Sequence, residues 1–329
     1  MSIITVDSLS KSYKNSKVKA VDNASFQIEK GEVFGLIGPN GAGKTTIFSC
    51  MLALTNPSSG TVEIDGKSPQ DIQVKAMLGF LPERPCYNRW MTVKQFLEYH
   101  HGLAGHPASE REAEIQRVLA LVELDVDPKK RRIKELSRGM LQRIGLAQAL
   151  IGKPQICFLD EPTSGMDPLG FILIRKLLLK LKEEGMTIVL NSHHLLEVER
   201  VCDRVAFIRR GKIEEVSSLA DLNTIRQMLK VEWLPQTDKD PTRQEKLAKL
   251  ADACQCPLLE SFQCGAKFAV ATNEKAAELL ANLQKENFSV YQSTFEKKEL
   301  VELFLNEKAT DMDADVAEPD GTGQSEGQK

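Results

Sequence analysis

Val33-Phe34-Gly35-Leu36-Ile37-Gly38-Pro39-Asn40-Gly41-Ala42-Gly43-Lys44-Thr45-Thr46 is the stretch that decides the fold. Residues 33–37 are nearly continuous apolar sequence, which reads as a strand buried on both faces, the kind found in parallel sheets. Residues 38–45 then fit G-x-x-x-x-G-K-[ST], and a helical stretch follows over 45–54. Glycines at these positions let backbone N–H groups turn inward on phosphate oxygens, and the start of the helix adds the positive end of its dipole. Lys44 is placed to reach the β- and γ-phosphates, and the Thr45 hydroxyl to ligand Mg2+. The alternative is a Gly-rich turn that binds nothing. A strand before it and a helix after it argue against that alternative.

Outward from this loop, apolar runs recur at 156–159, 187–190 and 205–208. Helical patterns lie between them. Ile115, Val118, Leu119 and Val122 recur at helical spacing, and 169–184 ends in Lys180, Lys182 and then Gly185. This alternation predicts an α/β domain over residues 1–220. A second unit over 228–306 reads as a small α+β accessory domain. Its expected strands are 229–234, 268–272 and 288–292, and its expected helices are 243–253, 275–286 and 296–306. From 309 to 329 the chain is small and polar, with Asp311, Asp313, Asp315, Glu318, Asp320 and Glu326 against Lys329. That composition predicts an acidic disordered tail.

A chain of 329 residues suggests two packed units. Hydrophobic residues at 42% and charged residues at 27% exclude a disordered chain, a collagen and a disulfide miniprotein. Forty-three Lys+Arg against 46 Asp+Glu gives −3, so no global electrostatic grip on nucleic acid is expected. Seven cysteines without repeated CxxC spacing read as reduced, mostly buried thiols of a cytosolic protein. The opening residues lack a basic segment followed by an apolar core, and no apolar run approaches the ~18 residues of a membrane helix. The chain is therefore expected to stay in water and to meet a membrane only through a partner.

Ile156-Cys157-Phe158-Leu159-Asp160-Glu161 is a buried strand ending in two carboxylates. Chemistry in open parallel sheets sits at such carboxyl ends. Asp160 is expected to face the metal, and Glu161 to orient and polarise the attacking water. The alternative is an acidic N-cap for a helix after Pro162.

With these sites in place, four further segments resemble the motifs of the nucleotide-binding subunit of an ABC transporter. Leu136-Ser137-Arg138-Gly139-Met140 resembles the family's signature motif and opens a helix over 141–151. Ser164-Gly165-Met166-Asp167 resembles its D-loop, Ser192-His193 its switch histidine, and Tyr13 its adenine-stacking aromatic. The pattern over 1–216 looks most like the ATPase subunits of bacterial ABC-2-type exporters. The resemblance implies an α/β fold, a P-loop NTPase ABC ATPase domain with a helical subdomain. It implies ATP and Mg2+ as ligands, a second ATP-binding subunit, identical or related, in a head-to-tail dimer, and a separate transmembrane permease subunit. Nucleic acid is not among the implied partners. The placement it implies is cytoplasmic, peripheral on the inner face of the cell membrane, and the activity it implies is ATP hydrolysis coupled to transport, as an exporter.

Carried onto this sequence, the resemblance gives catalytic roles to Glu161, His193 and Lys44. Nucleotide contacts fall to Tyr13, Gly38, Pro39, Asn40, Gly41, Ala42, Gly43, Lys44, Thr45, Thr46, Glu83, Ser137 and Gly139, and metal contacts to Thr45, Asp160 and Glu83. Several positions have a plainer reading. Ser137 is also a good helix N-cap, His193 a structural histidine after a strand, and Tyr13 a packing aromatic. Trp90-Met91-Thr92 reads equally as a docking cluster for a membrane partner and as core packing. Two departures stand out. Glu83 replaces the glutamine expected after the strand 77–81, and Arg138 and Met140 stand where glycine and glutamine are commonest. Arg138 either adds a cation or points to solvent.

Rival readings are a soluble ABC ATPase and an ATP-sensing scaffold not coupled to transport. The soluble types carry two cassettes or a long coiled-coil insertion, whereas this chain has one phosphate loop and no sustained heptads. Glu161 and His193 argue against a scaffold that does not hydrolyse. No separate sequence feature favours an importer.

Overall fold

The chain opens with β1 (Ser2–Lys11), β2 (Val21–Glu29), β3 (Val33–Ile37), α1 (Lys44–Met51) and β4 (Ser59–Ile64). Burial alternates along β2, where Val21, Ala24, Phe26 and Ile28 are inside, the pattern of a strand with one covered face. β1 pairs antiparallel with β2 on one side and β4 on the other, a three-stranded sheet. Strand β3 is buried at all five positions, as its unbroken apolar sequence requires. It belongs to a different sheet.

That second sheet is completed after α2 (Ile72–Ala76) by β5 (Leu78–Leu81), β6 (Ile156–Asp160), β7 (Thr187–Asn191), β8 (Arg204–Arg209) and β9 (Lys212–Ser218). Between β5 and β6 lie three helices, α3 (Val93–Leu103), α4 (Arg111–Leu121) and α5 (Arg138–Ala149). α6 (Pro168–Glu183) and α7 (Leu195–Val201) flank β7 in sequence. The strand order is β5-β6-β7-β3-β8-β9. Five strands run parallel, and β9 returns antiparallel on β8. The order inserts β7 between β3 and β6, so the loop after β3 and the ends of β6 and β7 share one edge. The register fixes this, with Leu36 opposite Asn191 and Asn191 opposite Asp160. Ligands bind at such a carboxyl edge.

One core joins the two sheets through α1. Phe48 of α1 meets Phe158 of β6 edge-on at 5.6 Å, and Phe26 stacks on Phe34 at 5.5 Å. Each such ring contributes about 1.5–3 kcal/mol by leaving water. Three helices build the helical part on the β5 side. Thr92 and Gln95 form a capping box at the start of α3, and the Tyr87 hydroxyl donates to the Leu141 carbonyl at 2.6 Å. Burial holds that phenol well above its ordinary pKa.

The computed structural model describes residues 1–14, 18–192, 195–220, 227–234 and 243–297. It divides into two units, Met1–Asp221 and Leu222–Lys329. The second unit contains β10 (Gln227–Trp233), α8 (Arg243–Ala253), β11 (Leu258–Phe262), β12 (Gly265–Ala269), α9 (Asn273–Lys285) and β13 (Val290–Lys297). Its antiparallel sheet has the order β11-β12-β10-β13. With helices after the first and third strands, this is the β-α-β-β-α-β arrangement of ferredoxin-like units. Trp233, Phe268, Leu279 and Phe288 fill its core.

Four sequence expectations shift here. The strand expected at 268–272 begins earlier, at Gly265, and β11 was not foreseen. The helix expected from 296 begins inside β13, because Glu296 and Lys297 pair with Met228 and Gln227 of β10. Ladder hydrogen bonds to a central strand outweigh a weak local helical preference. The rest of that expected helix, and the acidic tail, lie outside the described residues. Finally, no helix follows Pro162 directly; a turn intervenes, and the next helix starts at Pro168 with Asp167 as its cap. Among the described residues, no helix is long and apolar enough to cross a membrane. All seven cysteines are free thiols.

Candidate functional site

The loop between β3 and α1 forms one wall of a cavity of about 430 Å3. Asn40, Gly41, Ala42, Gly43, Lys44, Thr45 and Thr46 line it, with Ala20, Glu83, Glu161, Ser164 and Asn191 on the other sides. Gly43 is the N-cap of α1, with φ 110° and no side-chain capping bond. Only glycine fits there, since a Cβ would sit 2.3 Å from the Ala20 carbonyl oxygen. The first amides of a helix lack intrahelical acceptors, and here no side chain supplies one. They face the cavity as donors waiting for an anion. Lys44 is buried, and its Nζ donates to the Gly38 and Pro39 carbonyls at 2.7 and 3.1 Å. Burial lowers its pKa, while Glu161, Asp160 and Glu83 pull it back up.

Opposite stand the carboxylates. Asp160 ends β6, and Asn191 Nδ2 donates to its Oδ1 at 2.5 Å. Burial pushes the Asp160 carboxyl up to about 6, the Asn191 bond and Lys44 oppose this, and Glu161 and Glu83 reinforce it. Glu161 has φ 51°, left-handed backbone that costs a non-glycine residue about 1 kcal/mol or more. Backbone bonds hold it there. Its N–H donates to the Asn191 carbonyl at 2.8 Å, and its own carbonyl accepts from Ser164 at 3.0 Å. The strained turn aims a buried carboxylate at the loop.

Three carboxylates therefore gather around one lysine, an imbalance that favours a cation. Asn191 Oδ1 is buried without a hydrogen-bond partner among the described residues. It would accept from a donor brought in with a ligand, such as a metal-bound water. No group of three or more His, Cys, Asp or Glu among the described residues could hold a metal alone. This donor set fits Mg2+, which keeps waters and shares few protein ligands with substrate phosphates.

The structure thus brings together most of the residues expected from sequence. Gly38 and Pro39 turn their carbonyls to Lys44 Nζ, and neither they nor Asp160 belong to the cavity lining. Tyr13 is 47% exposed with Lys11 Nζ 5.3 Å above its ring, outside the cavity lining. Ser137 and Gly139 are also outside that lining. Ser137 caps α5, its Oγ accepting from the Met140 N–H at 3.3 Å, and space in front of Gly139 is open. His193 lies outside the described residues. Trp90 is 71% exposed, so packing into the core does not explain it. Sequence reading missed Ala20, Ser164 as a cavity wall, and Asn191. The one available signal was a polar residue ending the apolar run 187–190.

Comparison with known proteins agrees with this geometry. The family described as ABC transporter matches residues 21–164. An uncharacterized ABC transporter ATP-binding protein of Nostoc sp. strain PCC 7120 is 42% identical over 227 residues, 67% of this chain and 68% of that one. The methionine import ATP-binding protein MetN 1 of Listeria monocytogenes is 36% identical over 231 residues, 68% of each chain. Among solved structures, a dimeric post-hydrolysis ATP-binding cassette bound to ADP and Pi superposes with a TM-score of 0.61 at 25% identity, covering 66% of this chain and 98% of that one.

Proposed function

This chain belongs to the ATP-binding proteins of ABC transporters and hydrolyses ATP, and from that premise we propose that it drives a membrane exporter by ATP-dependent pairing. The observation that carries the reading is the cavity that Lys44, the residues opening α1, Glu83 and Glu161 line together, with Asp160 electrostatically coupled to Lys44 and Glu161.

In this reading the amides of residues 41–46 and Lys44 bind the triphosphate and neutralise charge developing on it. Thr45 and Asp160 would hold Mg2+, with Glu83 near them, and Asn191 fixes the Asp160 carboxylate by donating to its Oδ1. Mg2+ supplies neutralisation and alignment of the phosphate oxygens when bound. Glu161 accepts a hydrogen bond from the attacking water and orients it in line with the γ-phosphoryl. His193 contributes a further donor to the γ-phosphate. Ser137 and the start of α5, which lie outside the chain's own cavity, meet the triphosphate of a second ATP-binding subunit related head to tail, as the family resemblance implies. Pairing and separation move a transmembrane subunit, and differential affinity of ATP for the paired state supplies the coupling. The exposed Trp90 fits docking on that subunit.

Export rests on the resemblance of the motif pattern to ABC-2-type exporter ATPase subunits, and import is a second reading because one relative of comparable similarity is named for methionine import. The test is co-expression with any polytopic membrane protein encoded beside this gene, reconstitution in vesicles and assay of ATP turnover. Stimulation by the membrane protein supports transport coupling. Equal turnover with and without it supports a soluble ATPase. Cargo accumulation on the nucleotide side marks import, and depletion there marks export.

A further inference from the structure

α5 begins with Arg138, one residue after its cap Ser137. The turn after β6 carries Glu161 and Ser164, both facing the phosphate cavity. Two side chains of α5 reach that turn. Buried Gln142 donates from Nε2 to the Glu161 carbonyl at 3.4 Å, and Arg138 donates from Nη2 to Ser164 Oγ at 3.4 Å. The Arg138 side chain also packs against Gly165. A Cβ built there would stand 1.9 Å from Arg138 Nε and 2.3 Å from Cζ. Gly165 has φ +72°, so its bareness serves both the turn and the planar group resting on it.

We propose that Arg138 is a positioning residue for ATP hydrolysis, tying the start of α5 to the Glu161 turn so that the two move as one body. The proposal rests on the reading that Ser137 meets a second subunit's ATP. On that basis, a nucleotide docking against the start of α5 in one chain sets the placement of Glu161 in the same chain. The two ATP sites of a pair are then coupled through each chain's own Arg138. An arginine suits the task because its planar fork covers a glycine and bonds sideways at once, which a lysine ammonium does not. The competing role is a cation that touches the second subunit's phosphate directly.

Steady-state ATPase of the full chain with Mg2+-ATP separates these roles, using Arg138→Ala, Arg138→Lys, Gly165→Ala, Ser164→Ala and the Arg138→Ala/Ser164→Ala double variant. Misplacement of a catalytic turn by a fraction of an ångström lowers kcat about 10-fold in Arg138→Ala, with KM within about 2-fold of wild type. Arg138→Lys does not restore the rate. Gly165→Ala reproduces the loss by displacing the guanidinium. Ser164→Ala adds little in the Arg138→Ala background, as expected for two ends of one contact. An unchanged kcat in Arg138→Ala overturns the proposal, as do fully additive losses in the double variant. Rescue by Arg138→Lys with the change confined to KM also overturns it, in favour of direct phosphate contact. A wild-type rate per chain that persists unchanged under conditions where the chain sediments as a monomer with Mg2+-ATP would break the paired reading instead, a result readable without any variant.

Discussion

Two helix starts in the first unit resemble each other and differ in completeness. α1 opens at Gly43 with no side-chain cap, inside a cavity that also holds Lys44 and Glu161 and backs onto Asp160. α5 opens at Ser137, capped by its own hydroxyl, with open space before Gly139, and neither Ser137 nor Gly139 lines that cavity. Both present amides and a dipole to an anion. The first has everything a polyanion and its metal need, and the second has only the donors. The difference teaches that, on the proposed reading, this chain carries one full phosphate cradle and one half, and the half is completed by a cradle supplied by another chain.

Four substitutions break or sharpen that contrast. Glu161→Gln removes the carboxylate proposed to orient the attacking water while keeping its shape, so turnover should fall about 100- to 1,000-fold with ATP binding retained. Phosphate-release kinetics and equilibrium binding check the two halves of that statement. Ser137→Ala attacks the half cradle, and turnover should fall about 10- to 100-fold through loss of one donor in trans. Nucleotide binding to the isolated chain should not change, since Ser137 is outside its cavity. A matching loss of binding would show that the two helix starts serve one site.

Asp160 offers a pH test. Its carboxyl is raised to about 6 by burial, so the folded state holds this proton more tightly than the unfolded state. The penalty of burying the charged form is absent below the ordinary carboxylate pKa and fully present above about 6. Without nucleotide, Asp160→Asn should therefore stabilise the chain near neutral pH by roughly 2 kcal/mol and gain little near pH 4. Chemical denaturation at the two pH values reads the difference. The smallest effect is expected at Asn191. Asn191→Ala frees the Asp160 carboxylate and should weaken Mg2+ dependence of turnover about 10-fold, as loss of an outer-shell partner does elsewhere.

The full cradle was far more legible in sequence than the half. Buried parallel strands need unbroken apolar runs, so β3, β6, β7 and β8 announced themselves, and the loop and acidic pair came with them. The three-stranded sheet of β1, β2 and β4 was less visible because its strands bury one face only and contain shifts in register. In the second unit, β11 has no fully buried position, and its partly exposed sequence carries no clear signal. The strain at Glu161, the Asn191–Asp160 bond and the seat of Arg138 on Gly165 join residues far apart in the chain. Periodicity reports which face a residue takes, and it is silent on what that residue meets across a fold.

The most direct test of the half-and-full arrangement is sedimentation of Glu161→Gln with and without Mg2+-ATP. A chain that is monomeric alone, becomes a dimer with nucleotide, and loses that dimer when Ser137→Ala is added is the expected result. A chain that binds ATP yet stays monomeric at every concentration would contradict it.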